Sequence, residues 1–304
     1  MKINVLRSEN IYRKMLNAAA EKRDDIFRYE LMQPFQHKWD CYRIPLKASH
    51  KGGYDIVMAC RMMGLLTPAK FSEDTAAQAD MLGDESLWER CTESVKRSLD
   101  CFEKDGIVPP VQEYLFTLLL ADGDNGYTIM NGNYCGDGGI PGYIMAWLVP
   151  GEKTLSRVHA ALAHETNHNI RFQYQLWHDD ITLGEMIVSE GLAECFAVEL
   201  YGEEFAGPWV TNVDFEKYST EIKSKIHQAL DVQGLEQLNA YLYGDELAQL
   251  QGYLPVGLPY CAGYACGYHL IRHFLKKTDI SITAATILPA RDILKATEDF
   301  WNDK

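Results

Sequence analysis

Residues 161–168 read Ala-Leu-Ala-His-Glu-Thr-Asn-His. Two histidines four apart, with a glutamate directly after the first, constrain this chain more than any other feature. At about 100° per residue, helical positions four apart project from one face roughly 6 Å from each other. His164 and His168 can then close on a single zinc ion, provided that the backbone here is helical. Glu165 between them points to the flank, where it can hold a water on the metal instead of ligating it. The same spacing also occurs on solvated helix faces that carry two unrelated histidines. The flanks favour a helix: Leu155, Val158 and Leu162 supply an apolar stripe, and Ala160, Ala161 and Ala163 are strong helix formers.

A catalytic zinc site takes three protein ligands and leaves a position open, whereas a structural one closes with four. The third ligand is expected from a neighbouring helix. After a polar turn at 177–180, Thr182 and Glu185 form a Thr-x-x-Glu capping box. The helix that it opens runs through Met186, Ile187 and Val188 into Ser-Glu-Gly-Leu-Ala-Glu (189–194), with Gly202 as its stop. Residues 169–189 leave room for one helix to end, turn and send an antiparallel partner back past the metal, which makes Glu190 the candidate ligand. Gly191 and Ala193 beside it point to close helix packing. Glu194, one turn on, is placed to accept the second ring N–H of a ligand histidine. Glu194 and Glu199 also fit a solvated face.

These segments resemble the gluzincin group of zinc metallopeptidases and, more narrowly, the domain-of-unknown-function 2268 family of predicted zinc-dependent proteases. The resemblance continues into Gly263-Tyr264-Ala265-Cys266-Gly267-Tyr268 and into Arg-Asp-Ile-Leu-Lys-Ala-Thr-Glu-Asp-Phe at 291–300. It covers roughly residues 108 to 304. It implies His164, His168 and Glu190 as ligands of Zn2+, Glu165 as general base, and a peptide or protein substrate. It also implies a zincin-like architecture, in which a small sheet precedes the metal helix and an edge strand pairs with extended substrate. Tyr143 to Val149 is the expected strand for that role.

Tyr260, Tyr264 and Tyr268 recur every four residues, as an aromatic packing stripe would. A zinc hydrolase also needs a second electrophile, and Tyr264, in the matched Gly-Tyr pair, is the phenol expected to hold the oxyanion. The small residues Ala262, Gly263, Ala265 and Gly267 would let their helix approach the metal helices closely. His269 and His273 repeat the four-residue spacing. Cationic neighbours and the lack of a glutamate between them make them surface or supporting residues.

Elsewhere the pattern divides at 105/106. Residues 1–105 read as a helical N-terminal region, with helices over 11–31, 54–66 and 85–102 and a core stripe at Trp88, Cys91, Val95, Leu99 and Phe102. Residues 106–304 form the zincin-like domain, with strands at 111–121, 127–130 and 143–149. The glycine-rich segment 131–142 reads as a loop; it lacks a basic residue and any P-loop pattern. The fold class is α+β, predominantly helical.

A formal charge of −14 argues against nucleic-acid or anionic-membrane partners and mildly favours neutral or basic peptides. No apolar run suits a signal peptide or a membrane span. Eight scattered cysteines without a C-x-x-C suit buried thiols in a reducing cytoplasm. The expected function is a zinc metallopeptidase. Two alternatives stay open, a peptide-binding module with a structural or vestigial metal and a metal-dependent hydrolase of other substrates.

Overall fold

A computed structural model describes residues 1–302, the side chain of Leu235 excepted. Those residues are predominantly helical with one small mixed sheet, as expected. They form two compact units, one of residues 1–96 and 111–162, the other of 97–110 and 163 onward. The divisions at 96/97 and 162/163 fall inside two long helices and do not follow the single break at 105/106 read from the sequence.

The first unit opens with strand β1 (Lys2–Leu6) and helix α1 (Ser8–Asn17). The helix expected over 11–31 is interrupted by extended backbone at Ala18 and Ala19, resumes over Ala20–Ile26 and loosens to a π-helix over Phe27–Met32. Helix α2 (Glu85–Lys104) buries the whole stripe from Trp88 to Phe102. Strands β2 (Glu113–Leu120), β3 (Tyr134–Asp137) and β4 (Tyr143–Leu148) complete a sheet of order β1-β2-β4-β3. The first three in that order are parallel, in register Lys2↔Glu113 and Leu115↔Tyr143, and β3 runs antiparallel to β4.

Near-continuous apolar runs in β2 and β4 are those of strands flanked on both sides. This corrects the assignment of Tyr143–Val149 as an edge. The glycine-rich segment expected to be a loop instead supplies β3, which pairs with β4 and takes the edge itself. Residues 127–130, expected as strand, lie in a one-turn helix, Gly126–Met130, because the Asn125 side chain accepts from the backbone N–H groups of Tyr127 and Thr128.

Helix α3 (Glu152–Tyr174) contributes its residues from Ala163 to the second unit. Helix α4 (Leu183–Tyr201) follows, buried on nearly every face over its first four turns. The capping box forms as read: Thr182 accepts from the Glu185 N–H, and the Glu185 carboxylate accepts from Thr182. Gly202, at φ 102°, ends the helix. Next come α5 (Phe215–Gln228), α6 (Leu235–Tyr243) and α7 (Ala262–Thr278).

Helices α4 and α7 meet backbone to backbone. A Cβ on Gly191 would lie 2.2 Å from the Gly267 carbonyl oxygen, and one on Gly267 would lie 2.3 Å from the Ile187 oxygen. Gly263 brings α7 close to α6 as well, where an added Cβ would lie 2.7 Å from Leu242 Cα. The small residues of α7 therefore set the position of the helix that carries Glu190. Among the described residues, no helix is long and apolar enough to cross a membrane.

Candidate metal centre

Helix α3 presents His164, Glu165 and His168, and α4 presents Glu190 and Glu194; all five side chains are buried. Burying three carboxylates and two imidazoles is costly unless each is paired or holds a metal. The Nε2 atoms of His164 and His168 lie 3.1 Å apart. Glu190 Oε2 stands 3.4 Å from the first and 3.3 Å from the second. Among the described residues this is the one cluster of three or more such side chains able to hold a metal ion.

The outer ring nitrogens show which atoms face inward. Glu194 Oε2 lies 2.9 Å from His164 Nδ1. It also accepts from Trp209 Nε1 at 2.8 Å, while Glu194 Oε1 accepts from the Gly207 N–H. A carboxylate surrounded by donors in this way is an acceptor, so His164 Nδ1 carries a proton, and Nε2 is the nitrogen that offers its lone pair when the ring is neutral. Ser189 Oγ lies 3.1 Å from His168 Nδ1 and holds the outer nitrogen of the second ring.

Three electron-pair donors thus converge on one point. A regular tetrahedron with bonds of about 2.0–2.1 Å has edges of about 3.3–3.4 Å, the dimensions of a zinc site with nitrogen and oxygen ligands. The observed edges of 3.1, 3.3 and 3.4 Å match one face of it. The donor set fits zinc.

Burial opposes charge on His164, but hydrogen bonds to Glu190 and Glu194 and the field of Glu165 prevail and raise its pKa well above 6.5. Burial likewise favours a neutral Glu190, yet the charges and hydrogen bonds of His168 and His164 take it down to about 2.

Tyr264 donates to Tyr243 Oη at 3.1 Å. Its ring lies 6.4 Å from Trp209, which stands edge-on to His164 at 5.7 Å, so Tyr264 joins the metal cluster through Trp209. Tyr268 of the same stripe donates to Glu203, and Tyr260 lies ahead of α7. His269 stacks on Phe215 and His273 pairs with Asp299, which removes them as a rival metal pair. Sequence reasoning missed Ser189, Trp209 and Tyr243. Ser189 stood beside Glu190 in the matched segment; the other two lie in stretches with no chemical signature.

A family model described as predicted zinc-dependent protease, domain of unknown function 2268, matches residues 87–295. The chain belongs to this family. The uncharacterized protein YjfC of Bacillus subtilis (strain 168) is 38% identical to it over 286 residues, 93% of this chain and 94% of YjfC. The uncharacterized protein YjaZ of the same organism is 28% identical over 141 residues, 46% of this chain and 50% of YjaZ. No solved structure matches.

The protonation pattern gives this family member a pH signature with two opposite slopes. Without metal, His164 with its raised pKa adds stability that is complete below pH 6.5 and is lost as pH rises through the raised value. Glu190 adds stability present above pH 4.5 and lost as pH falls toward about 2. The chelator-treated protein is therefore expected to lose melting temperature on the alkaline side of pH 6.5. The zinc-saturated protein is expected to lose it on the acidic side, because protons compete with the metal for the imidazoles. Thermal melts of both forms between about pH 3 and 9 read this directly, and parallel curves would overturn it.

Proposed function

We propose that this protein is a zinc-dependent peptidase of gluzincin type, its α3–α4 pair being the helix pair of a zincin-like domain. The reading is carried by the convergence of His164 Nε2, His168 Nε2 and Glu190 Oε2 on one point, with Glu165 beside them. Zinc held there supplies a Lewis acid for the scissile carbonyl and acidifies water toward neutrality. The Glu165 carboxylate takes the proton of the attacking water and returns it to the leaving amine nitrogen. Glu194, fixed by Gly207 and Trp209, holds the proton on His164 Nδ1 and so keeps the Nε2 lone pair directed at the centre. The Tyr264 phenol, resting on Tyr243, turns its hydrogen bond to the oxyanion.

The substrate is a peptide or protein, and we assign no nucleic-acid or membrane partner. All eight cysteines are free and five are buried, which supports a place in the reducing cytoplasm. Metal content by mass spectrometry tests the assignment, with His164→Ala and Glu190→Ala beside the native chain. The expected result is about one zinc per chain, lost in both variants, since a single ligand contributes much of the affinity of a three-ligand site. Retention of zinc by Glu190→Ala would move the third ligand elsewhere. A screen of peptide libraries against ester and amide substrates then separates peptidase from other hydrolase activity.

A further inference from the structure

The first compact unit holds an open cavity of about 480 Å³, far from acidic in a chain of net charge −14. Four cationic side chains, Arg28, Lys47, Lys51 and Arg61, line it against a single carboxylate, Asp55. Arg28 is neutralised by that carboxylate at 2.7 Å, and Lys47 pairs with Asp25 at 3.4 Å. Among the described residues Lys51 and Arg61 have no ion-pair partner, so the cavity wall carries two uncompensated positive charges.

A second observation is independent of charge. Thr67 lines the same cavity, is 1% exposed, and its Oγ1 has no hydrogen-bond partner. It stands at the N-cap of the 3-10 turn Pro68–Lys70, where a threonine hydroxyl commonly accepts a backbone N–H, yet it makes no such bond. A buried hydroxyl left unpaired is costly, and burying it in the wall of a cationic cavity suits a ligand oxygen that accepts from it.

We propose that this cavity binds a small phosphate-bearing molecule of nucleotide size. The volume falls in the range of small-molecule pockets, about 300–1,000 Å³. A phosphate monoester carries a charge of about −1.5 to −2 at neutral pH on one compact group, which balances the two free cations. Arg61 and Lys51 supply charge-assisted hydrogen bonds, Thr67 the neutral one, and Ala48, Val57 and Met58 an apolar wall.

The test is isothermal titration of the full-length, zinc-saturated protein with adenosine monophosphate, adenosine and succinate. Saturable binding of the monophosphate and none of the other two is expected. Lys51→Glu/Arg61→Glu reverses two exposed charges, leaves the melting temperature unchanged, and should weaken the monophosphate at least about tenfold. Thr67→Val keeps the side-chain shape and removes the unpaired hydroxyl. It should weaken binding several-fold while the ligand-free protein melts no lower than the native one. Because neither variant touches the metal centre, their effects separate this cavity from chelation of zinc. No saturable binding in the millimolar range, equal binding of adenosine or succinate, or binding indifferent to both variants would overturn the proposal.

Discussion

Glu165→Gln is expected to lower kcat for peptide hydrolysis by about 10²–10⁴-fold, the range of a lost general base, with zinc still bound at the native level. Glutamine keeps the length and the hydrogen-bonding ability of glutamate but cannot take a proton at neutral pH. The three atoms that converge on the metal position come from His164, His168 and Glu190, so their donor set is untouched. The substitution also removes the negative field that helps raise His164. Proton competition at that ring weakens, and zinc affinity near neutrality should hold or rise. Metal analysis and steady-state rates on the same preparation make the comparison. A variant that keeps most of its hydrolytic rate would refute the assignment of Glu165.

Gly191→Ala is expected to lower the unfolding free energy by about 3 kcal/mol or more, at the upper end of overpacking costs. The added methyl would sit 2.2 Å from a backbone oxygen of α7, and no rotamer relieves that contact. The two helices must separate, and Glu190 and Glu194 move with α4, so zinc affinity should fall as well. Gly184→Ala on the same helix is the control. Its methyl meets the flexible end of Leu294 at 3.0 Å, and its effect should stay within about 1 kcal/mol of zero. Urea denaturation of both variants decides the matter; equal midpoints would mean that the α4–α7 crossing can widen freely.

The parts of this molecule that could be read in advance are those with local periodicity. His164 and His168 needed only a helix, and the alanines around them supplied one. Thr182 and Glu185 announced the start of α4 through a reciprocal pair of hydrogen bonds that form within one turn. The glycines at 191 and 267 foretold close packing because only a missing side chain admits a backbone at that distance. What could not be read depends on partners remote in sequence. Strand β1 pairs with a segment 111 residues on, and its five residues show little burial contrast of their own. Strand β3 contains a glycine and follows a turn, and pairing with β4 alone makes it a strand. Trp209 reaches the metal centre from a four-residue helix with no motif, through the carboxylate of Glu194. Tyr268 is set apart from Tyr264 by partners remote in sequence, Glu203 for the one and Tyr243 with Trp209 for the other.

The distance between β1 and β2 also sets a schedule for the chain during its own synthesis. At about 5–20 residues per second, roughly 6 to 20 s pass between the emergence of one strand and that of its parallel partner. Through that interval β1 has nothing to pair with in the sheet, since it bonds only to β2. Lys2 and Asn4 within it disfavour adhesion to other nascent chains. Slower elongation would lengthen this waiting period in direct proportion. The yield of correctly assembled protein should therefore respond to codon choice between the two strands more than to codon choice after them.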